Sequence, residues 1–500
     1  MNARVLMFQG TGSDVGKSTL VAGLCRIAKR RNINVAPFKP QNMSNNAAAC
    51  ADGGEIGRAQ ALQARAAGLE PCIDFNPVLL KPQSDRTAQV VVHGKALDTL
   101  SASDYMNHRR QHLMDAVVES FGRLCNKHEL ILVEGAGSAA EVNLRTRDIA
   151  NMGFAQQVQS PVCLIGDIDR GGVIAAVVGT KAVIGSADAA LIKSFVINRF
   201  RGDPRLFDDG VLAIEQNSGW PCRGVVPWLT AARKLPQEDA VVLQDNNATQ
   251  SCSKKTLKIA VPMLSRIANF DDMDPLQLEP NVDLSFVPPG KSIPLDVDAI
   301  ILPGTKSALG DLAFIRNQGW DHDIIAFARG GGHVLGVCGG YQLLGQSIHD
   351  PDGVDGKSGS AKALGLLNVT TTMHAEKQTS PISGKCARSN HPINGYEIHV
   401  GITKGYDTAR PMMVINTRAD GAINEIGNVQ GTYLHGLFAN DLFRQYWLDN
   451  IKSGTASQLD YEFTVESELN RLADGLEASL DVDALFSDAA QPVFNDVTAK

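Results

Sequence analysis

Two short stretches of this 500-residue chain hold residues whose types and order suit bond-making chemistry. The segment Gly330-Gly-Gly-His-Val-Leu-Gly-Val-Cys338-Gly-Gly-Tyr-Gln-Leu-Leu-Gly reads as a strand, a sharp turn and a helix, with only small residues after the cysteine. A nucleophile on a strained strand-to-helix turn needs such neighbours, and a helix N-terminus stabilises its thiolate. Far downstream, Val429-Gln-Gly-Thr-Tyr-Leu-His435 ends a strand with an imidazole suited to serve Cys338 as base and then acid. Upstream, Ile300-Ile-Leu-Pro-Gly304-Thr-Lys closes another strand, and the backbone N–H groups near Gly304 and Gly339 are candidates for an oxyanion hole. The second stretch, Gly10-Thr-Gly12-Ser-Asp-Val-Gly16-Lys17-Ser18-Thr19, lies between a strand and the helical run Leu20–Lys29. Its glycines let backbone N–H groups approach a triphosphate, Lys17 reaches the phosphates and Ser18 offers an oxygen to Mg2+. Thr11 stands where the usual phosphate-loop spacing would place the first glycine.

The elements that must position these residues follow from short apolar runs ending in Gly-rich loops. Candidate strands are Val5–Phe8, Val35–Phe38, Leu130–Val133, Val162–Ile165 and Phe195–Ile197, then Leu257–Val261, Leu284–Val287, Ala299–Leu302 and Val334–Val337. Such runs alternating with helices predict an α/β chain of two domains, each a mostly parallel sheet flanked by helices. The expected boundaries are 1–235 for the domain of the phosphate loop, 236–255 for a polar linker, 256–452 for the domain of Cys338 and His435 and 453–500 for a helical tail. Strand Val35–Phe38 ends at Lys39, a second cation for the phosphates or a solvated lysine before a proline turn. Strand Leu130–Val133 ends at Glu134, which is either a magnesium ligand or a structural cap.

Hydrophobic residues are 44%, charged residues 20% and the net charge is −7, so a basic nucleic-acid surface is disfavoured. The nine cysteines include no Cys-x-x-Cys pair, which argues against a zinc ribbon and fits free thiols in the cytoplasm. The most apolar long window, 162–185, carries Asp167, Asp169, Arg170 and Lys181, so no membrane insertion is expected.

The phosphate loop resembles that of dethiobiotin synthetase, which activates a carboxylate with ATP. The Cys338 and His435 segments resemble the class I glutamine amidotransferases, although Leu437 stands where most of that class has a glutamate to orient the histidine. What orients His435 is left open. Lys39-Pro-Gln-Asn-Met-Ser, Glu55-Ile-Gly-Arg-Ala-Gln, Asn76-Pro-Val-Leu-Leu-Lys-Pro-Gln-Ser-Asp85, Gly166-Asp-Ile-Asp-Arg-Gly-Gly172 and Gly395-Tyr-Glu-Ile-His399 are similar to blocks of the cobyric acid synthases, over nearly the whole chain. That resemblance implies amidation of the b, d, e and g carboxylates of the corrinoid adenosylcobyrinic acid a,c-diamide, with ATP, Mg2+ and glutamine as nitrogen donor. It also implies that Asn198 contacts adenine (or is a strand-end turn residue), and that Asp148 sits at magnesium or a corrin carboxylate (or caps a helix). Lys81, Arg58 and Arg86 become candidates for the anionic corrin rim. The competing readings are cobyrinic acid a,c-diamide synthase and a partitioning-type switch ATPase, which would have no use for Cys338. Oligomeric state is not legible.

Overall fold

The computed structural model describes residues 3–83, 87–101, 110–236, 238, 257–356 and 358–495. In the first half, six parallel strands pair in the spatial order Cys222–Pro227, Ile192–Phe200, Val162–Asp167, Arg4–Gly10, Leu130–Ser138 and Val35–Phe38. Val5, Leu6, Met7 and Phe8 are at most 1% exposed although consecutive, because the strand is covered on both faces. Register sets Phe8 beside Glu134 and Asp167 beside Asn198, so the carboxyl ends of neighbouring strands collect the chemistry at one edge of the sheet. The helix Lys17–Arg30 starts at Gly16, whose φ of +91° is in the glycine-favouring left-handed region. A Cβ there would also lie 2.3 Å from Nδ2 of Asn198, so only glycine fits.

Beside this sheet, the strands Gln41–Met43, Val78–Pro82, Thr87–Val92 and Lys95–Ser101 form a smaller sheet, antiparallel from the second strand on, which the sequence periodicity did not announce. The second half holds another six-stranded sheet, ordered Val282–Val287, Leu257–Pro262, Ala299–Leu302, His333–Val337, Val429–Thr432 and Ala422–Ile423, parallel except for the last strand. A long antiparallel hairpin, Val369–Cys386 with Pro392–Gly405, belongs to a separate seven-stranded sheet. Ile398 of that hairpin is buried with Ala47, Leu79 and Val91 of the first half, forming an apolar seam between the halves.

The tail crosses back. The helix Tyr461–Ser479 buries Val465, Leu469, Leu472 and Leu476 against the phosphate-loop helix, packing so closely on Gly23 that a Cβ there would lie 2.3 Å from Leu476. Arg26 bonds Glu466 at 2.7 Å, and Ala490 bridges Val5 in the central strand. The expected helical tail holds two helices, Tyr461–Ser479 and Val482–Asp488, separated by Leu480 and Asp481. Among the described residues no helix is long and apolar enough to cross a membrane.

Candidate functional site

At the carboxyl edge of the first sheet, Glu134 is 1% exposed and surrounded by donors. Ser18 Oγ donates to its Oε1 at 2.7 Å and Lys39 Nζ to the same oxygen at 2.8 Å, while Gln63 Nε2 and Gln60 Nε2 donate to Oε2 at 2.6 and 3.2 Å. Burial alone would push the carboxyl up, but Lys39 and these hydrogen bonds hold it below the ordinary range. Lys17 Nζ donates to the carbonyls of Gly12 and Gly137 at 3.0 and 2.9 Å, spanning the loop where phosphate would bind. Asn198 Nδ2 donates to the Val15 carbonyl at 2.8 Å, so it braces the phosphate loop. A hydroxyl and a carboxylate converging on one point are a hard-oxygen set that fits Mg2+, whose remaining positions would go to phosphate and water. Among the described residues no group of three or more His, Cys, Asp or Glu forms a metal cage.

In the second half, Cys338 sits at φ +53°, ψ −111°, strained as a turn between His333–Val337 and Gly339–Leu344 requires. It shares a pocket with His435, Gly304, Gly339, Gln342 and His399. His435 is 1% exposed and stacks on Tyr396, ring centroids 5.2 Å apart. Its Nδ1–H donates to Asp272 Oδ2 at 2.7 Å, and the Gly436 N–H donates to Asp272 Oδ1 at 2.7 Å. Burial works against the imidazolium, but Asp272 first and Cys338 next raise the pKa to about 10. Asp272 thus orients His435 from the turn Phe270–Met273, while Leu437 is fully buried in the core. Sequence reasoning missed it; the signal was the acidic run Asp271-Asp-Met-Asp274 soon after a strand.

Three of the candidate substrate residues, Arg58, Lys81 and Asp148, have partners within the protein. Arg58 Nε bonds Asp271 at 3.0 Å, and Lys81 Nζ bonds the buried Glu55 at 2.9 Å, so both charges are committed at the seam between the halves. Lys377 of the hairpin bonds the other oxygen of Glu55; burial pushes that carboxyl up, yet the two ammonium groups draw it down to about 2. Asp148 accepts from the N–H groups of Ala150, Asn151 and Gly153 at 2.7–2.8 Å and so caps the turn before the helix Met152–Val158. Arg86 lies outside the described residues.

The Cys338 pocket is also lined by Asn45 and Lys81 of the first half. Lys306 lines it too, 9% exposed, and its Nζ has no hydrogen-bond or ion-pair partner among the described residues. His399 stacks on Tyr433 and donates Nδ1–H to the Gly401 carbonyl at 3.0 Å, which leaves Nε2 as a buried acceptor with no partner among the described residues.

Comparison with known proteins follows this geometry. Residues 6–242 match the model of the CobQ/CobB/MinD/ParA nucleotide binding domain, and residues 258–443 that of the CobB/CobQ-like glutamine amidotransferase domain. A cobyric acid synthase of Hyphomonas neptunium is 62% identical over 98% of this chain and 99% of its own length. The chain belongs to the cobyric acid synthase family. A second cobyric acid synthase, from Paracoccus denitrificans, is 60% identical over 96% of this chain and 99% of its own. Membership in the cobyric acid synthases makes this a glutamine-dependent amidotransferase with a nucleotide-binding half, and excludes the switch ATPase.

Proposed function

We propose that the enzyme is a cobyric acid synthase of cobalamin biosynthesis, converting the b, d, e and g carboxylates of adenosylcobyrinic acid a,c-diamide into carboxamides with ATP and glutamine. The observation that carries the reading is the shared seam. The segment that starts with Lys39 on Glu134 reaches, at Asn45, the wall of the Cys338 pocket. Two sites with no shared intermediate would gain nothing from such an arrangement.

In the glutaminase, Cys338 Sγ attacks the side-chain carbonyl of glutamine, and the Gly304 and Gly339 backbone stabilises the oxyanion. His435, steadied by Asp272, gives its proton to the departing nitrogen, and water then releases glutamate from the thioester. The unpartnered Lys306 ammonium suits the α-carboxylate of glutamine, and the His399 acceptor suits its α-ammonium group. In the other half, a carboxylate oxygen of the corrinoid takes the γ-phosphoryl group and ADP leaves. Lys17 and Lys39 neutralise the charge on the transferred group. Mg2+ held by Ser18 and Glu134 would supply further charge neutralisation. Ammonia then attacks the acyl phosphate, the carbon–nitrogen bond forms and phosphate departs with the former carboxylate oxygen. Asn198, beside the loop, contacts adenine in this scheme.

Incubation with ATP, Mg2+, glutamine and cobyrinic acid a,c-diamide, followed by mass spectrometry, tests the reading. Stepwise conversion of acid to amide is expected. Amidation of the unamidated acid but not of the diamide would instead assign cobyrinic acid a,c-diamide synthase.

A further inference from the structure

The turn that presents Asp272 is rich in charge. Asp271, Asp272 and Asp274 stand together, with His435, Cys338, Tyr396 and Tyr461 as the other titratable groups facing the cluster. Asp271 Oδ1, Asp274 Oδ2 and the Tyr396 hydroxyl are buried without hydrogen-bond partners among the described residues. The arginine bonded to this turn is Arg58, which comes from the other half of the molecule and meets Asp271 Oδ2 at 3.0 Å. Arg58 is also the first residue of the helix Arg58–Ala67. Two residues and five residues further on, Gln60 and Gln63 donate to Glu134. One short helix therefore joins the oxygen set of the nucleotide site to the turn behind the catalytic histidine.

Adjacent carboxylates in a poorly solvated turn repel, and without a cation the turn must swing apart or take up a proton. Either change would shift Asp272, whose two oxygens fix the imidazole and the following backbone. We propose that Arg58, although part of the nucleotide-binding half, is a positioning residue of the glutaminase. By neutralising Asp271 it holds the Asp271–Asp272 turn in the register that keeps Asp272 on His435, and its helix ties that hold to Glu134. The inference rests on Cys338 and His435 being the glutaminase pair.

The test measures glutamate release by the full-length enzyme across pH, with ammonium-supported ADP formation as the check on folding and on the nucleotide half. Arg58→Gln is expected to lower kcat by about 10- to 100-fold with the glutamine KM within about twofold, an effect on the transition state rather than on binding. The acid limb of its profile should move to higher pH, because the unpaired carboxylates hold protons more tightly. Arg58→Lys, which keeps the charge, should recover most of the lost kcat. Should Arg58→Gln not fold, Arg58→Gln combined with Asp271→Asn, which removes the charge that needs neutralising, should fold and hydrolyse glutamine within about threefold of the parent. An Arg58→Gln enzyme with normal kcat, or one whose loss lies only in KM, overturns the proposal. So does a double variant as impaired as the single one. Glutamine-dependent amide formation by Cys338→Ala would overturn the underlying assignment instead, whatever Arg58 does.

Discussion

The two chemical sites of this protein are built on opposite plans. Around Glu134 the functional groups are tied to one another: Ser18, Lys39, Gln60 and Gln63 all spend hydrogen bonds on one carboxylate, and Lys17 spends its own on loop carbonyls. In the proposed reaction a metal and a triphosphate displace part of that network to bind. Around Cys338 the groups are already set: the cysteine is strained into position, Asp272 fixes the imidazole, and Lys306 Nζ and the His399 Nε2 line the pocket with no bonded partner among the described residues. The difference teaches which half waits for its ligands. In the proposed reaction the Cys338 pocket is preorganised for glutamine, whereas the groups around Glu134 are bonded to one another before ATP arrives.

That contrast can be broken most completely at Cys338. Cys338→Ala is expected to reduce glutamine-dependent amide formation to background while ammonium-dependent formation, assayed in the same preparation, persists. Asp272→Asn should follow, lowering kcat for glutamate release by about 10²- to 10⁴-fold, as loss of an imidazole-orienting carboxylate does in hydrolytic triads. The sign of its pH effect is also fixed. Asp272 holds the His435 pKa at about 10, above the ordinary value of 6.5, so the pair's contribution to stability is fully present below about 6.5 and is lost as pH rises through about 10. In Asp272→Asn burial dominates, and the alkaline fall in both activity and thermal stability should begin at lower pH. On the other side of the comparison, Lys39→Met should cut ADP formation by about 10²-fold or more with either nitrogen source, since charge neutralisation at the phosphoryl group is lost. Equal rates from ammonium and wild-type ADP yield would place Lys39 outside the chemistry. The smallest expected effect is at Lys306, where Lys306→Met should raise the glutamine KM by about tenfold with kcat nearly unchanged, and Lys306→Arg should reverse most of it.

Much of this was legible in the chain. Runs such as Val5–Phe8 and Ala299–Leu302 read as buried parallel strands because they are apolar at every position, and they are strands in the structure. The P-loop and the Cys338 turn were legible because glycines occur where backbone must approach a ligand or a neighbouring strand. Asp272 was hidden because its partner lies 163 residues away, and no periodicity reports a side chain on a turn. The partners of Lys81 and Arg58 were hidden for a similar reason. A basic residue in a polar block looks solvated or substrate-facing until the partner carboxylate, Glu55 or Asp271, is brought to it by the fold. The tail gave its helical spacing but not its destination, since amphipathic leucines show that a face is buried and not against what.

Following nitrogen tests the coupling of the halves most directly. Enzyme supplied with ATP, Mg2+, cobyrinic acid a,c-diamide and glutamine labelled with ¹⁵N in its amide should yield corrinoid amides carrying the label, one ADP for each nitrogen joined. Steady ADP release with no label entering the corrinoid would contradict it.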